Sequence, residues 1–150
     1  MYAVTKSFKF EASHRLFTIP SEHPCSNLHG HSYVVRVSIW TEDIKNLENP
    51  NMVIDFGKLK EFQKQLDEHF DHSLILHEDD PIYDAVKEYV CRIIKMPNKM
   101  DVTAENMAYL FANSINAICN KFKIKSGNIQ VDVDETVGNT ASYVREIGTI

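Results

Sequence analysis

Residues 29–41 read His29-Gly30-His31-Ser32-Tyr33-Val34-Val35-Arg36-Val37-Ser38-Ile39-Trp40-Thr41. His31, Tyr33, Val35, Val37 and Ile39 share one parity, and the row extends back to His29. A period of two with branched and aromatic residues on one side marks a strand that buries that side. Upstream, Phe8, Phe10, Ala12 and His14 alternate with Lys9, Glu11, Ser13 and Arg15, which predicts a strand over 2–14. Residues 17–28, with Pro20, Ser21, Pro24 and Asn27, read as the loop between the two.

Downstream, Glu48-Asn49-Pro50-Asn51 reads as a turn. Asp55 is the expected N-cap of a helix over 56–70, with Phe56, Leu59, Phe62, Leu66 and Phe70 at helical spacing. Asp80-Pro81 suggests a second helix start, with the helix over 81–91 and an RIIKM stretch after it that suits an extended chain. Thr103 caps a predicted helix over 104–121, whose Met107, Leu110, Phe111, Ile115 and Ile118 form a stripe. Residues 127–136 alternate again, Gly138-Asn139 permits a tight turn, and 140–147 form the last strand. The expected fold is α+β: two antiparallel β-hairpins, with helices inserted between strands 2 and 3 and packed on one face.

The chain has 150 residues, which suits a single domain over 1–150. Its net charge of −5 excludes a broad nucleic-acid surface, because phosphate backbones need clustered positive charge. No stretch approaches 18 apolar residues, and the opening MYAVTKSFKF lacks a signal-like apolar run, so a cytoplasmic protein without a membrane span is expected. The three cysteines, Cys25, Cys91 and Cys119, make no disulfide framework. Cys91 and Cys119 lie in apolar context and read as packed thiols.

Seven histidines carry most of the chemistry. His29 and His31, two apart on a strand, point to the same side, and His14 ends the core-facing row of the neighbouring strand. Three nitrogens on one face suit a zinc site with its fourth position open. An HxH pair also arises by chance among seven histidines; the matching parity of all three favours metal. Cys25 sits in a polar loop leading to these ligands and is either a packed thiol or one made reactive by a nearby cation. Asp71-His72 ends the predicted helix at 70. Taken alone it is accounted for by the helix dipole and a turn, while near a cysteine it suits proton transfer. Glu135 closes the row Ile129, Val131, Val133, where an apolar residue is expected. Either it is paired or holds a ligand, or it reaches water at a strand end.

In order, FEASHRL (10–16), CSNLHGHSY (25–33), MVIDF (52–56), FDHSLIL (70–76), DVTAEN (101–106) and DETVGNTASY (134–143) resemble the 6-pyruvoyl-tetrahydropterin synthase / 6-carboxy-tetrahydropterin synthase family. The resemblance implies the tunnelling fold, or T-fold, and trimers often stacked as homohexamers with active sites between subunits. It implies Zn2+ on His14, His29 and His31, Cys25 as general base with Asp71 and His72, and Glu135 on the amino-pyrimidine edge of a pterin. The implied substrate is 7,8-dihydroneopterin triphosphate. Three residues between Cys25 and His29 resemble the 6-carboxy enzymes, which release acetaldehyde and triphosphate and feed queuosine synthesis. The segment from His77 to Met100 is longer than a minimal member needs. Lys6, Arg15, Arg36 and Arg145 are the candidates for the triphosphate.

Three alternatives remain at this level. One is the sister 6-pyruvoyl enzyme, which stops after triphosphate elimination. Another is a non-catalytic zinc- or pterin-binding protein, which needs the histidines but not Cys25 or Asp71-His72. A generic three-histidine metallohydrolase ranks last, since no HExxH-type helix supplies its carboxylate base.

Overall fold

The computed structural model describes residues 1–42, 51–124 and 126–148. The expected turn at Glu48-Asn49-Pro50 lies outside the described residues. Strands β1 (Tyr2–His14) and β2 (His29–Thr41) pair antiparallel along their whole length, from Tyr2 opposite Thr41 to His14 opposite His29. Strands β5 (Asn128–Thr136) and β6 (Asn139–Glu146) form the second antiparallel hairpin, and β5 pairs with β2. These are the two hairpins the alternation predicts, and the α+β class holds.

The segment between the hairpins is richer than expected. It contains α1 (Lys60–Gln65) with a wider π turn (Leu66–Phe70), β3 (Ser73–His77), α2 (Ile82–Val86), β4 (Ile93–Met96) and α3 (Ala104–Lys121). Strand β3 joins the free edge of β1 in parallel and β4 joins β3, giving one six-stranded sheet in the order β4-β3-β1-β2-β5-β6. Every residue of β3 is buried, so it shows no alternation and escapes a period-two search. The RIIKM stretch does become a strand.

The helix expected over 56–70 starts a turn late. The Asp55 carboxylate instead accepts the Gly57 amide at 2.7 Å, a tight turn that precedes the helix, and Phe56 is exposed rather than part of the stripe. Leu59, Phe62 and Leu66 are buried as predicted. The helix expected over 81–91 shortens to Ile82–Val86, with Tyr89 and Cys91 exposed. Its far turn packs only in part, Val90 being half-buried while Tyr89 and Cys91 are exposed, and its aromatic and β-branched residues do not hold a longer helix. Cys91 is therefore not the packed thiol its context suggests, whereas Cys119 is buried.

Helix α3 begins at Thr103, whose hydroxyl accepts the Asn106 amide at 3.2 Å. Its Met107, Phe111, Ile115 and Ile118 lie against Phe8, Phe10, Val35, Val37, Val131 and Val133 in one core. Phe10 sits at the centre, stacked on Tyr33 at 4.7 Å and edge-on to Phe111 at 6.0 Å. No described helix is long and apolar enough to cross a membrane.

Candidate active site

The core-facing rows of β1 and β2 run from hydrocarbon into imidazole. Phe8, Phe10 and Ala12 lead to His14, and Val37, Val35 and Tyr33 lead to His31 and His29. Because His14 pairs with His29 and Ala12 with His31, the register alone gathers the three rings at one end of the sheet. The nearest ring nitrogens all lie within 4.8 Å of one another.

Hydrogen bonds fix which nitrogens face inward. His14 Nδ1 lies 2.8 Å from the Val102 carbonyl, and His29 Nδ1 lies 2.8 Å from the Asn27 carbonyl. A carbonyl only accepts, so both Nδ1 atoms carry a proton and the two Nε2 atoms turn inward, each with a lone pair when its ring is neutral. Those two Nε2 atoms stand 3.1 Å apart. Burial lowers the His14 pKa to about 4, against the raising effect of its bond to the Val102 carbonyl, so the ring stays neutral near pH 7. Burial lowers His31 as well. Facing lone pairs at this separation repel unless a cation lies between them. Tetrahedral zinc with bonds of about 2.0–2.1 Å sets its ligand nitrogens about 3.3 Å apart. The donor set and its backbone supports therefore fit Zn2+.

Glu135 reaches this cluster from β5. Its Oε1 lies 4.0 Å from His14 Nε2, and the side chain is 28% exposed. The β5–β6 register shifts between Asp134 and Thr136, which leaves Glu135 out of the ladder and free to turn inward. Burial, then the Glu105 charge, raises its pKa. Glu135 is thus half-buried beside the histidines rather than fully exposed at the strand end.

Asp71 and His72 form a pair. Asp71 Oδ2 accepts from His72 Nδ1 at 2.8 Å, while Oδ1 accepts the Glu11 amide at 2.8 Å. Those bonds hold the Asp71 carboxyl below its usual range. His72 adopts a left-handed backbone, φ 55°, tied down where its amide donates to the Glu11 carbonyl at 2.7 Å. His72 lines a cavity of about 700 Å3 together with His29 and His31. Cys25 stands on a short turn (Pro24–Ser26), half-buried. Its amide donates to His23 Nδ1 at 3.1 Å, and its carbonyl accepts the Leu16 amide at 2.8 Å. Among the described residues no hydrogen bond joins its thiol to Asp71 or His72. His14, His29, His31 and Glu135 thus gather at one end of the sheet.

Two cations suggested for a triphosphate are already neutralised. Arg15 donates twice to buried Asp80, at 2.7 and 2.5 Å, and Arg36 donates twice to Asp134, at 2.5 and 3.0 Å. Lys6 donates to the Phe56 carbonyl and Arg145 to Asn113, neither of which removes its charge. Residue types alone assign no role to Asp101 and Val102, the first residues of the DVTAEN motif. Val102 and Asn27 support the rings through backbone carbonyls, which side-chain identity does not encode.

Residues 3–146 match the family described as 6-pyruvoyl tetrahydropterin synthase. A protein of Rickettsia conorii named 6-carboxy-5,6,7,8-tetrahydropterin synthase is 40% identical over 118 residues, spanning 77% of this chain and 80% of its own. One of the same name from Aquifex aeolicus is 34% identical over 126 residues, spanning 73% and 76%. Among solved structures, an uncharacterized protein of Wolinella succinogenes superposes with a TM-score of 0.75 at 20% identity, over 95% of this chain and 97% of its own. The 6-pyruvoyl tetrahydropterin synthase of Plasmodium vivax does so with 0.70 at 21%, over 98% and 100%. These likenesses establish the T-fold. With the family match over nearly the whole chain, the protein belongs to the 6-pyruvoyl tetrahydropterin synthase family of enzymes.

Proposed function

We propose that this protein is a zinc-dependent lyase that converts 7,8-dihydroneopterin triphosphate to 6-carboxy-5,6,7,8-tetrahydropterin, releasing acetaldehyde and triphosphate, in the route to 7-deazaguanine and queuosine. The observation that carries the metal half is the pair of inward Nε2 lone pairs of His14 and His29 at 3.1 Å. His14, His29 and His31 hold the ion, which when bound supplies Lewis-acid polarisation of the substrate's side-chain oxygens. The 6-carboxy product is favoured by the three-residue spacing from Cys25 to His29 and by the names of relatives near 40% identity.

The remaining roles fall to the chain's own groups. Glu135 accepts N–H bonds from the amino-pyrimidine edge and orients the ring, its half-burial making that contact stronger than it would be in water. Cys25 takes and returns protons on the substrate side chain as its general base. Asp71 holds His72 as the Nδ1–H tautomer, leaving Nε2 to relay a proton. The family resemblance implies a site completed by a neighbouring subunit, in a homohexamer built as a dimer of trimers. Joining sheets between subunits also covers the outer strands β4 and β6.

Product analysis by mass spectrometry, with and without chelator, tests the reading. A 6-carboxypterin with acetaldehyde is expected, and loss of turnover on chelation. A product that stops at the 6-pyruvoyl stage reassigns the protein to the sister activity, and full turnover without metal removes the zinc role.

A further inference from the structure

His14 is the most buried of the three histidines, at 2% exposure, and its orientation is set from outside its own hairpin. The Val102 carbonyl that takes its Nδ1 proton belongs to the segment entering α3. That segment is held by one carboxylate. Asp101 Oδ1 accepts the Phe17 amide and the Val102 amide, each at 3.0 Å. Asp101 Oδ2 accepts the Thr18 amide at 2.8 Å and the Thr18 hydroxyl at 2.6 Å. The Asp101 carbonyl takes the Thr103 amide at 2.9 Å and Asn106 Nδ2 at 2.9 Å.

Asp101 is buried at 8% exposure, and among the described residues no cation lies within ion-pair distance of it. A buried carboxylate without a counter-ion is costly unless hydrogen bonds compensate it, and here four do. Capping α3 does not require it, because Thr103 performs that task. What the four bonds accomplish is geometric. They join the chain three and four residues past His14 to the peptide that orients His14.

We propose that Asp101 is a positioning residue of the metal centre. It clamps the exit of β1 to the entry of α3, so that the Val102 carbonyl holds His14 as the Nδ1–H tautomer with Nε2 aimed at the ion. The inference rests on the metal reading above. Groups that orient a metal-binding histidine commonly control affinity by about 10- to 100-fold.

The test is zinc affinity by chelator competition on purified protein, well below each variant's melting temperature, with the visible spectrum of the cobalt(II) form as a second readout. Asp101→Asn keeps one acceptor but turns an amide N–H2 toward Thr18. It is expected to weaken zinc about tenfold or more and to shift the cobalt bands, which report ligand geometry. Thr18→Val removes a single bond and is expected to weaken zinc less, which keeps the test open if Asp101→Asn does not fold. Thr103→Ala, which uncaps α3 and leaves the carboxylate alone, is expected to lower the melting temperature with affinity unchanged. Wild-type affinity and spectrum in Asp101→Asn, or in Thr18→Val should Asp101→Asn not fold, or an equal loss in Thr103→Ala, overturns the positioning role. Failure of the unmutated protein to bind metal would instead remove the reading beneath it.

Discussion

His14 and His29 face each other across the end of the β1–β2 ladder with their Nε2 atoms 3.1 Å apart and both Nδ1 protons given to backbone carbonyls. This arrangement orients a cluster that could hold a metal ion. Purified protein should hold about one zinc per chain, with the fourth position left for substrate. His31→Ala should bring the zinc content after dialysis near zero while the far-ultraviolet circular dichroism stays unchanged. Retention of stoichiometric zinc by that variant would show that the third ring is not a ligand.

Acid should weaken both the metal site and the fold. The folded His14 pKa of about 4 lies below its ordinary value of 6.5, so on acidification the unfolded chain takes a proton first. Stability from this group is complete above about pH 6.5 and is lost as pH falls toward 4, amounting to at most roughly 3 kcal/mol. Urea unfolding of metal-free protein across that window should show the decline, and His14→Gln should flatten part of it. Identical slopes for the two proteins would contradict a buried neutral ring.

Cys25→Ala should separate chemistry from binding. Loss of a general base commonly costs about 10²–10⁴-fold in rate, so product formation should fall by that order while zinc content holds. Undiminished turnover would return Cys25 to the packed-thiol reading.

Tyr33 offers a test of stability against geometry. Its side chain is fully buried beside His14 and His31, and its hydroxyl has no hydrogen-bond partner among the described residues. Burial pushes its pKa up. Tyr33→Phe keeps the stacking on Phe10 and should stabilise the metal-free protein by about 1 kcal/mol, read as a raised melting temperature. A lowered one would mean that the hydroxyl has a partner in solution.

Alternation was legible wherever one strand face meets the core and the other meets water, which is why β1, β2, β5 and β6 and the parity of His14, His29 and His31 could be read directly. Strand β3 was not, because both its faces are covered and its five buried residues carry no period. The shortened α2 and exposed Cys91 show the reverse error: apolar composition suggested burial where no neighbouring element supplies a surface. The grip of Asp101 on Phe17 and Thr18 spans more than 80 residues of sequence and has no periodic trace at all.

The three histidines sit at the last rungs of a ladder that runs unbroken from Tyr2–Thr41 to His14–His29. A change of one residue in the length of β1 ahead of His14 would turn that ring to the opposite side of the sheet, and one in β2 would turn His29 and His31 away from it. These strands should therefore tolerate exchange of one apolar residue for another far better than a single insertion or deletion, and loss of metal would report such an indel even in a chain that still folds.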